Sequence, residues 1–187
     1  MHRRTFLASS AVAGLAGCSD VTATEVPLTT EEIQHDDSLE VAFLDEGRTI
    51  AGVGLRWPEV HPLMDADVPT MDGNVHHAGI HANRETGYEW ASLDVTVTVD
   101  TPTEPPLLYL QVDHSTPVTD IERFRDGTTR ISVADPAQSL SIGLAVIERE
   151  EATDGRSLSV DVDLVLVENG VFETQYRGEG SITSPVP

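Results

Sequence analysis

The chain has 187 residues, and its 32 aspartates and glutamates face only 11 basic residues, all arginine, for a net charge of −21 at pH 7. Such a surface has too few cations to neutralise phosphates, which excludes nucleic acid as a partner. The length suits one domain with a sizeable core, and a single cysteine excludes both a disulfide framework and a cysteine-built zinc site.

The first residues, MHRRTFLASSAVAGLAGCSD, place Arg3 and Arg4 before a short apolar run from Thr5 to Gly17. A membrane-spanning helix needs about 20 mostly apolar residues. This run is shorter and is diluted by Ser9 and Ser10, so it reads as a secretion signal that the mature protein loses. The pair Arg3-Arg4, followed by Phe6 and Leu7, resembles the twin-arginine signal. That resemblance implies export of the folded protein through the twin-arginine translocase. Leu15-Ala16-Gly17-Cys18 resembles a lipobox, which implies cleavage before Cys18 and a lipid on its sulfur. One acyl chain holds a protein only marginally, so stable anchoring would take two chains on Cys18. The implied location is the extracellular face of the cytoplasmic membrane.

Residues 18–37 then read as a lipidated cysteine and an acidic tether, with 38–187 as the folded domain. Thr29 and Glu32 have capping-box spacing, so at most one helical turn is expected in the tether. LEVAF (39–43) and TIAGVGLRW (49–57) are the first strand candidates.

A long connection, Pro58 to Tyr88, follows. Connections beyond about 12–15 residues are functional or disordered in most domains. This one carries His61, His76, His77 and His81, together with Met64 and Met71. Imidazole suits copper and zinc, and thioether favours Cu(I). The alternative is a surface loop whose histidines are solvated or bonded to backbone carbonyls. No HExxH is present, and Asp65-Ala66-Asp67 fails as a calcium loop because Val68-Pro69 interrupts it. Tyr88 and Trp90, two apart, share one strand face and suit either the core or a sugar-stacking platform, with the core the stronger claimant.

From there the period is two. LDVTVTVD sets Leu93, Val95, Val97 and Val99 against Asp94, Thr96 and Thr98. SLSVDVDLVLV sets Leu158, Val160, Val162, Leu164 and Leu166 against Ser159, Asp161 and Asp163. Strict alternation marks strands half buried against a core. Between them LLYLQV (107–112), TRISVA (129–134) and SLSIGLAVIE (139–148) are weaker candidates. Asp126-Gly127 and Asp154-Gly155 mark turns, TPTEPP (101–106) breaks regular structure, and Asn169-Gly170 predicts a hairpin into VFETQYRGEGSI (171–182). About eight strands without a convincing helix predict an all-β fold, an antiparallel β-sandwich. Immunoglobulin-like topology is the lean within that class, although the Cys…Trp…Cys spacing of true immunoglobulin domains is absent.

No nucleophile elbow and no phosphate-cradling glycine loop is present; Gly178-Glu179-Gly180-Ser181 is too short and lies late in a strand. Carboxylate pairs carry no information among 32 acids. An anionic, lysine-free composition that keeps arginine resembles that of secreted proteins of haloarchaea, where brine shortens the Debye length to about 3 Å at about 1 M salt and screens self-repulsion. The chain is thus expected to be a non-catalytic, lipid-anchored binding or structural module of a halophilic archaeal envelope, facing an unidentified envelope protein or ligand and needing no cofactor. A copper- or zinc-binding lipoprotein is the alternative, and an extracellular hydrolase the third possibility. Lowering salt from molar concentrations to about 0.1 M is expected to lower the melting temperature as screening is lost; a melting temperature indifferent to salt would contradict the brine argument.

Overall fold

The computed structural model describes residues 24–57, 75–100, 107–112, 118–124, 128–133, 139–147, 156–168 and 174–187. Among these, twelve strands form two six-stranded sheets, and no helix occurs. In chain order the strands are β1 (Thr24–Pro27), β2 (Thr29–Gln34), β3 (Ser38–Asp45), β4 (Arg48–Arg56), β5 (Val75–Arg84) and β6 (Tyr88–Asp100). They continue with β7 (Leu107–Val112), β8 (Val118–Arg123), β9 (Thr129–Val133), β10 (Ser139–Ile147), β11 (Ser157–Glu168) and β12 (Thr174–Pro185). One sheet has the order β1-β12-β11-β6-β9-β8 and the other β2-β3-β4-β5-β10-β7. Every pairing is antiparallel except β1 with β12, which run parallel. The fold is a β-sandwich.

All eight expected strands are present. The four additional ones have physical reasons for being hard to read. β1, β2 and β8 are edge strands, where water covers one side and a charged residue costs little. β2, TTEEIQ, is exposed throughout except at Ile33, and charge on an edge protects it from pairing with another chain. Thr24–Pro27 and Thr29–Gln34 are therefore strands rather than tether, and no helical turn forms at Thr29. β5, VHHAGIHANR, lies within the expected connection 58–88. Its inward residues include only one large aliphatic, Ile80, beside Ala78 and Ala82. Pairing on both sides, with β4 and β10, makes it a strand despite that weak pattern. The turns expected at Asp126-Gly127, Asp154-Gly155 and Asn169-Gly170, and the irregular stretch 101–106, lie outside the described residues.

The two strongly alternating segments behave as the pattern requires. Leu93, Val95, Val97 and Val99 of β6 and Leu158 to Leu166 of β11 are buried between the sheets, while Asp94, Asp161 and Asp163 lie on the outer face. A bulge adds detail that alternation alone misses. Val165 pairs with Ser92 but Leu166 with Trp90, so Ala91 is inserted without a partner. The inward phase shifts there from even to odd positions. Tyr88 and Trp90, only 6% and 4% exposed, thereby join the same core face as Leu93. They pack the interior and form no sugar platform.

The hairpin from β3 to β4 turns on Glu46 (φ 47°) and Gly47 (φ 83°). Two successive left-handed residues match the twist of the flanking strands. The sheets meet most closely where β12 crosses β3. A Cβ at Gly178 would lie 2.4 Å from Cδ1 of Phe43, and one at Gly180 would lie 2.8 Å from Cγ2 of Val41. Gly178→Ala is therefore expected to cost about 1–3 kcal/mol through overpacking, lowering the melting temperature by about 3–10 °C. Glu179→Ala, between them but facing solvent, is expected to change it little; equal effects would remove the close-approach argument.

Candidate functional site

The residues singled out by sequence divide three ways. The export and lipidation residues (Arg3, Arg4, Phe6, Leu7, Leu15, Ala16, Gly17 and Cys18) lie outside the described residues, as do His61, Met64 and Met71. The remaining histidines sit on β5, where successive side chains alternate between faces. His76 shares the inward parity of Ala78 and Ile80, whereas His77 and His81 point to the outer face. Four residue steps along the strand separate these two, about 13 Å at roughly 3.3 Å per step. The expectation that His76, His77 and His81 lie together on one loop is thus corrected: a strand holds them apart. Among the described residues no group of three His, Cys, Asp or Glu side chains is placed to hold a metal ion.

Two glycines of β4 shape what the outer histidine does instead. Glu40, Gly54 and His81 lie opposite one another on β3, β4 and β5. A Cβ at Gly54 would fall 2.4 Å from Cε1 of His81, so the imidazole lies across that glycine. Glu40 lies in the same way across Gly52, and its other oxygen is 3.7 Å from Nε2 of His35.

The two ends of the sandwich differ in character. The chain enters the fold where Thr24 pairs with Thr174. Near that end Tyr88 and Tyr176 meet edge to face, with ring centroids 5.5 Å apart. The Tyr176 hydroxyl donates to Glu168 at 3.2 Å, and Arg48 pairs with Glu85. Burial, and then the hydrogen bond to Glu168 and its charge, push the Tyr176 phenol up to about 12; burial also raises Tyr88. These contacts hold the end together.

The opposite end carries a cleft of about 400 Å³. Leu39 from β3, Leu55 from β4, Trp57 just beyond β4, and Pro185 from the end of β12 supply its apolar lining. The turn between β2 and β3, with His35, Asp36 and Asp37, forms its polar rim. Alternation places Leu39 and Leu55 opposite each other, at the margin where the sheets part. Trp57 donates its indole N–H to the Ser184 hydroxyl at 2.9 Å, which fixes the ring between the sheets. Arg56 pairs with Asp37 at 3.0 Å. Sequence reading missed this site because HDD was absorbed into the tether. The available signal was a polar triplet between Ile33 and Leu39, which is turn punctuation between two strands.

A second depression, about 550 Å³, crosses the outer face of the β12-β11-β6-β9 sheet. Glu179, Asp163 and Asp94 stand in one row on three adjacent strands. Arg177 lies 3.0 Å from Asp163 and 3.9 Å from Glu179, and Arg130 lies 2.9 Å from Asp94. This face is open, and its arginines are already paired with its carboxylates, which makes it a poorer binding site than the cleft.

Residues 23–187 match the family model of a domain of unknown function, DUF8121. The chain belongs to that family. The match begins one residue before β1, so the DUF8121 domain includes the two strands at its amino end. No curated protein matches the chain. Among solved structures, the DUF8121 chain is similar to the seventh ScaB type I cohesin from Pseudobacteroides cellulosolvens, at 12% identity and a TM-score of 0.38, over 62% of this chain and 86% of that one. Similarity at that level transfers no activity or partner to the DUF8121 domain.

Deprotonation of the Tyr176 phenol weakens the fold in alkali. The phenol's folded value of about 12 stands above an unfolded value of about 10. Its contribution to stability is complete below pH of about 10 and is lost as pH rises toward 12. Glu168→Gln is expected to move the folded phenol toward its ordinary value, seen as earlier phenolate absorbance. An unchanged titration would remove Glu168 from the cause.

Proposed function

We propose that the protein is a non-catalytic binding module, moored by lipid on Cys18 to the outer face of the cytoplasmic membrane of a halophilic archaeon. It presents the cleft beside Trp57 to a partner or ligand of the envelope. One observation carries this reading: the chain enters the sandwich and opens its cleft at opposite ends. Thr24, six positions after Cys18, pairs with Thr174. Ser184 and Pro185 of the same strand line the cleft, about 33 Å further along at roughly 3.3 Å per residue. An anchor at one end thus directs the cleft away from the membrane.

The chemistry of the cleft favours binding over turnover. Several polar side chains at its rim are held by neighbours, His35 by Glu40, Asp37 by Arg56 and Trp57 by Ser184. None of them forms a nucleophile–base pair. Among the described residues no helix is long and apolar enough to cross a membrane.

Fractionation of cells tests the mooring. Replacing Arg3 and Arg4 together by lysine is expected to leave unprocessed precursor inside the cell. Cys18→Ser is expected to release the protein from membranes or to leave it uncleaved. Normal export of the first variant would count against the twin-arginine route, and unchanged detergent partitioning of the second would remove the lipid.

A further inference from the structure

We infer that the cleft beside Trp57 takes an organic cation, an ammonium or guanidinium group carried on an apolar body, with Asp36 as its counter-ion and Trp57 as its stacking wall. The inference rests on the reading of this cleft as the binding site. Its volume, about 400 Å³, lies within the range of small-molecule sites, about 300–1,000 Å³, and admits one ring or branched alkyl body. Leu39, Leu55 and Pro185 offer that body an apolar bed. Trp57 is partly exposed, and the bond from its N–H to Ser184 fixes the indole where a cation can lie against it. Tryptophan is the best of the aromatic partners for a cation.

Charge decides the sign of the ligand. Arg56, the arginine at the rim, already faces Asp37, and the His35 imidazole lies beside Glu40. Asp36 lines the same cleft, is exposed, and has no ion-pair partner among the described residues. The surplus charge at the mouth is negative, within a chain of net charge −21. An anion is repelled there, and a neutral apolar molecule gains only the bed. An organic cation gains the bed, the indole and Asp36 together.

Titration of the full chain with phenethylammonium, followed by tryptophan fluorescence, tests this. The chain has two tryptophans; Trp90 is buried in the core, so a ligand at the cleft is reported by Trp57. A saturable change is expected, with the neutral analogue phenethyl alcohol binding at least fivefold more weakly. Asp36→Asn, at an exposed turn position, is expected to keep the melting temperature and to weaken phenethylammonium at least threefold. A capped Leu-Arg-Leu peptide forms the second arm. Tighter binding of the peptide assigns the cation to a partner's arginine side chain, and tighter binding of the amine assigns it to a free small molecule. Equal affinity for amine and alcohol, no saturable signal from either cation, or an Asp36→Asn variant that binds unchanged would overturn the inference. Failure of the mooring is read separately, by membrane partitioning of Cys18→Ser, and leaves this titration standing.

Discussion

The interior of this protein depends on how closely β12 approaches β3. Phe43 and Val41 reach across from one sheet into spaces left by Gly178 and Gly180 in the other. Side chains at those positions would hold the sheets apart and unpack the bed on which Phe43 is buried. Well-packed interiors admit little of such displacement. The same strand then carries Ser184 to the far end, where it fixes Trp57. Sheet spacing and cleft geometry are thus set by one strand, and a glycine pair that resembles loop chemistry in sequence is in fact packing chemistry.

Charge is distributed by the same alternation that builds the core. Because Asp94, Asp163 and Glu179 occupy outward positions on three neighbouring strands, the register that buries the valines forces carboxylates to stand side by side. Like charges directly opposite on a sheet destabilise it. Arg130 and Arg177 offset part of that repulsion, but exposed pairs contribute little, about 0–1 kcal/mol each. The remaining repulsion is of the kind that dissolved salt screens. The acidic composition is therefore tied to particular rows of the sheet as well as to bulk solubility.

What sequence could reveal follows from where the hydrophobic pattern is strong. β6 and β11 bury one complete face each, so every second residue announces the strand. β1, β2 and β8 stand at sheet edges and bury little, and β5 satisfies its inward face with alanines around a single isoleucine. Their strand character comes from neighbours in space, which no local pattern records. The bulge at Ala91 is invisible for a related reason: period-two counting carries no mark where the phase shifts, although both flanking segments read correctly. The cleft was missed because its residues, among them His35 to Asp37, Trp57, Ser184 and Pro185, meet only after the sheets assemble. Histidine clustering in the sequence pointed to a meeting of side chains, whereas alternation along β5 sets His76 on the opposite face from His77 and His81.

The parallel pairing of the first strand with the last has a mechanical meaning. A tug on the chain ahead of Thr24, resisted by whatever grips the opposite end, acts along β1 and stretches its ladder to β12 lengthwise. The bonds between Thr24–Pro27 and Thr174–Arg177, together with the Leu28 amide on the Arg177 carbonyl at 2.7 Å, then share the load at once instead of parting one after another. A protein held by its leading end thereby resists shear with its closing strand.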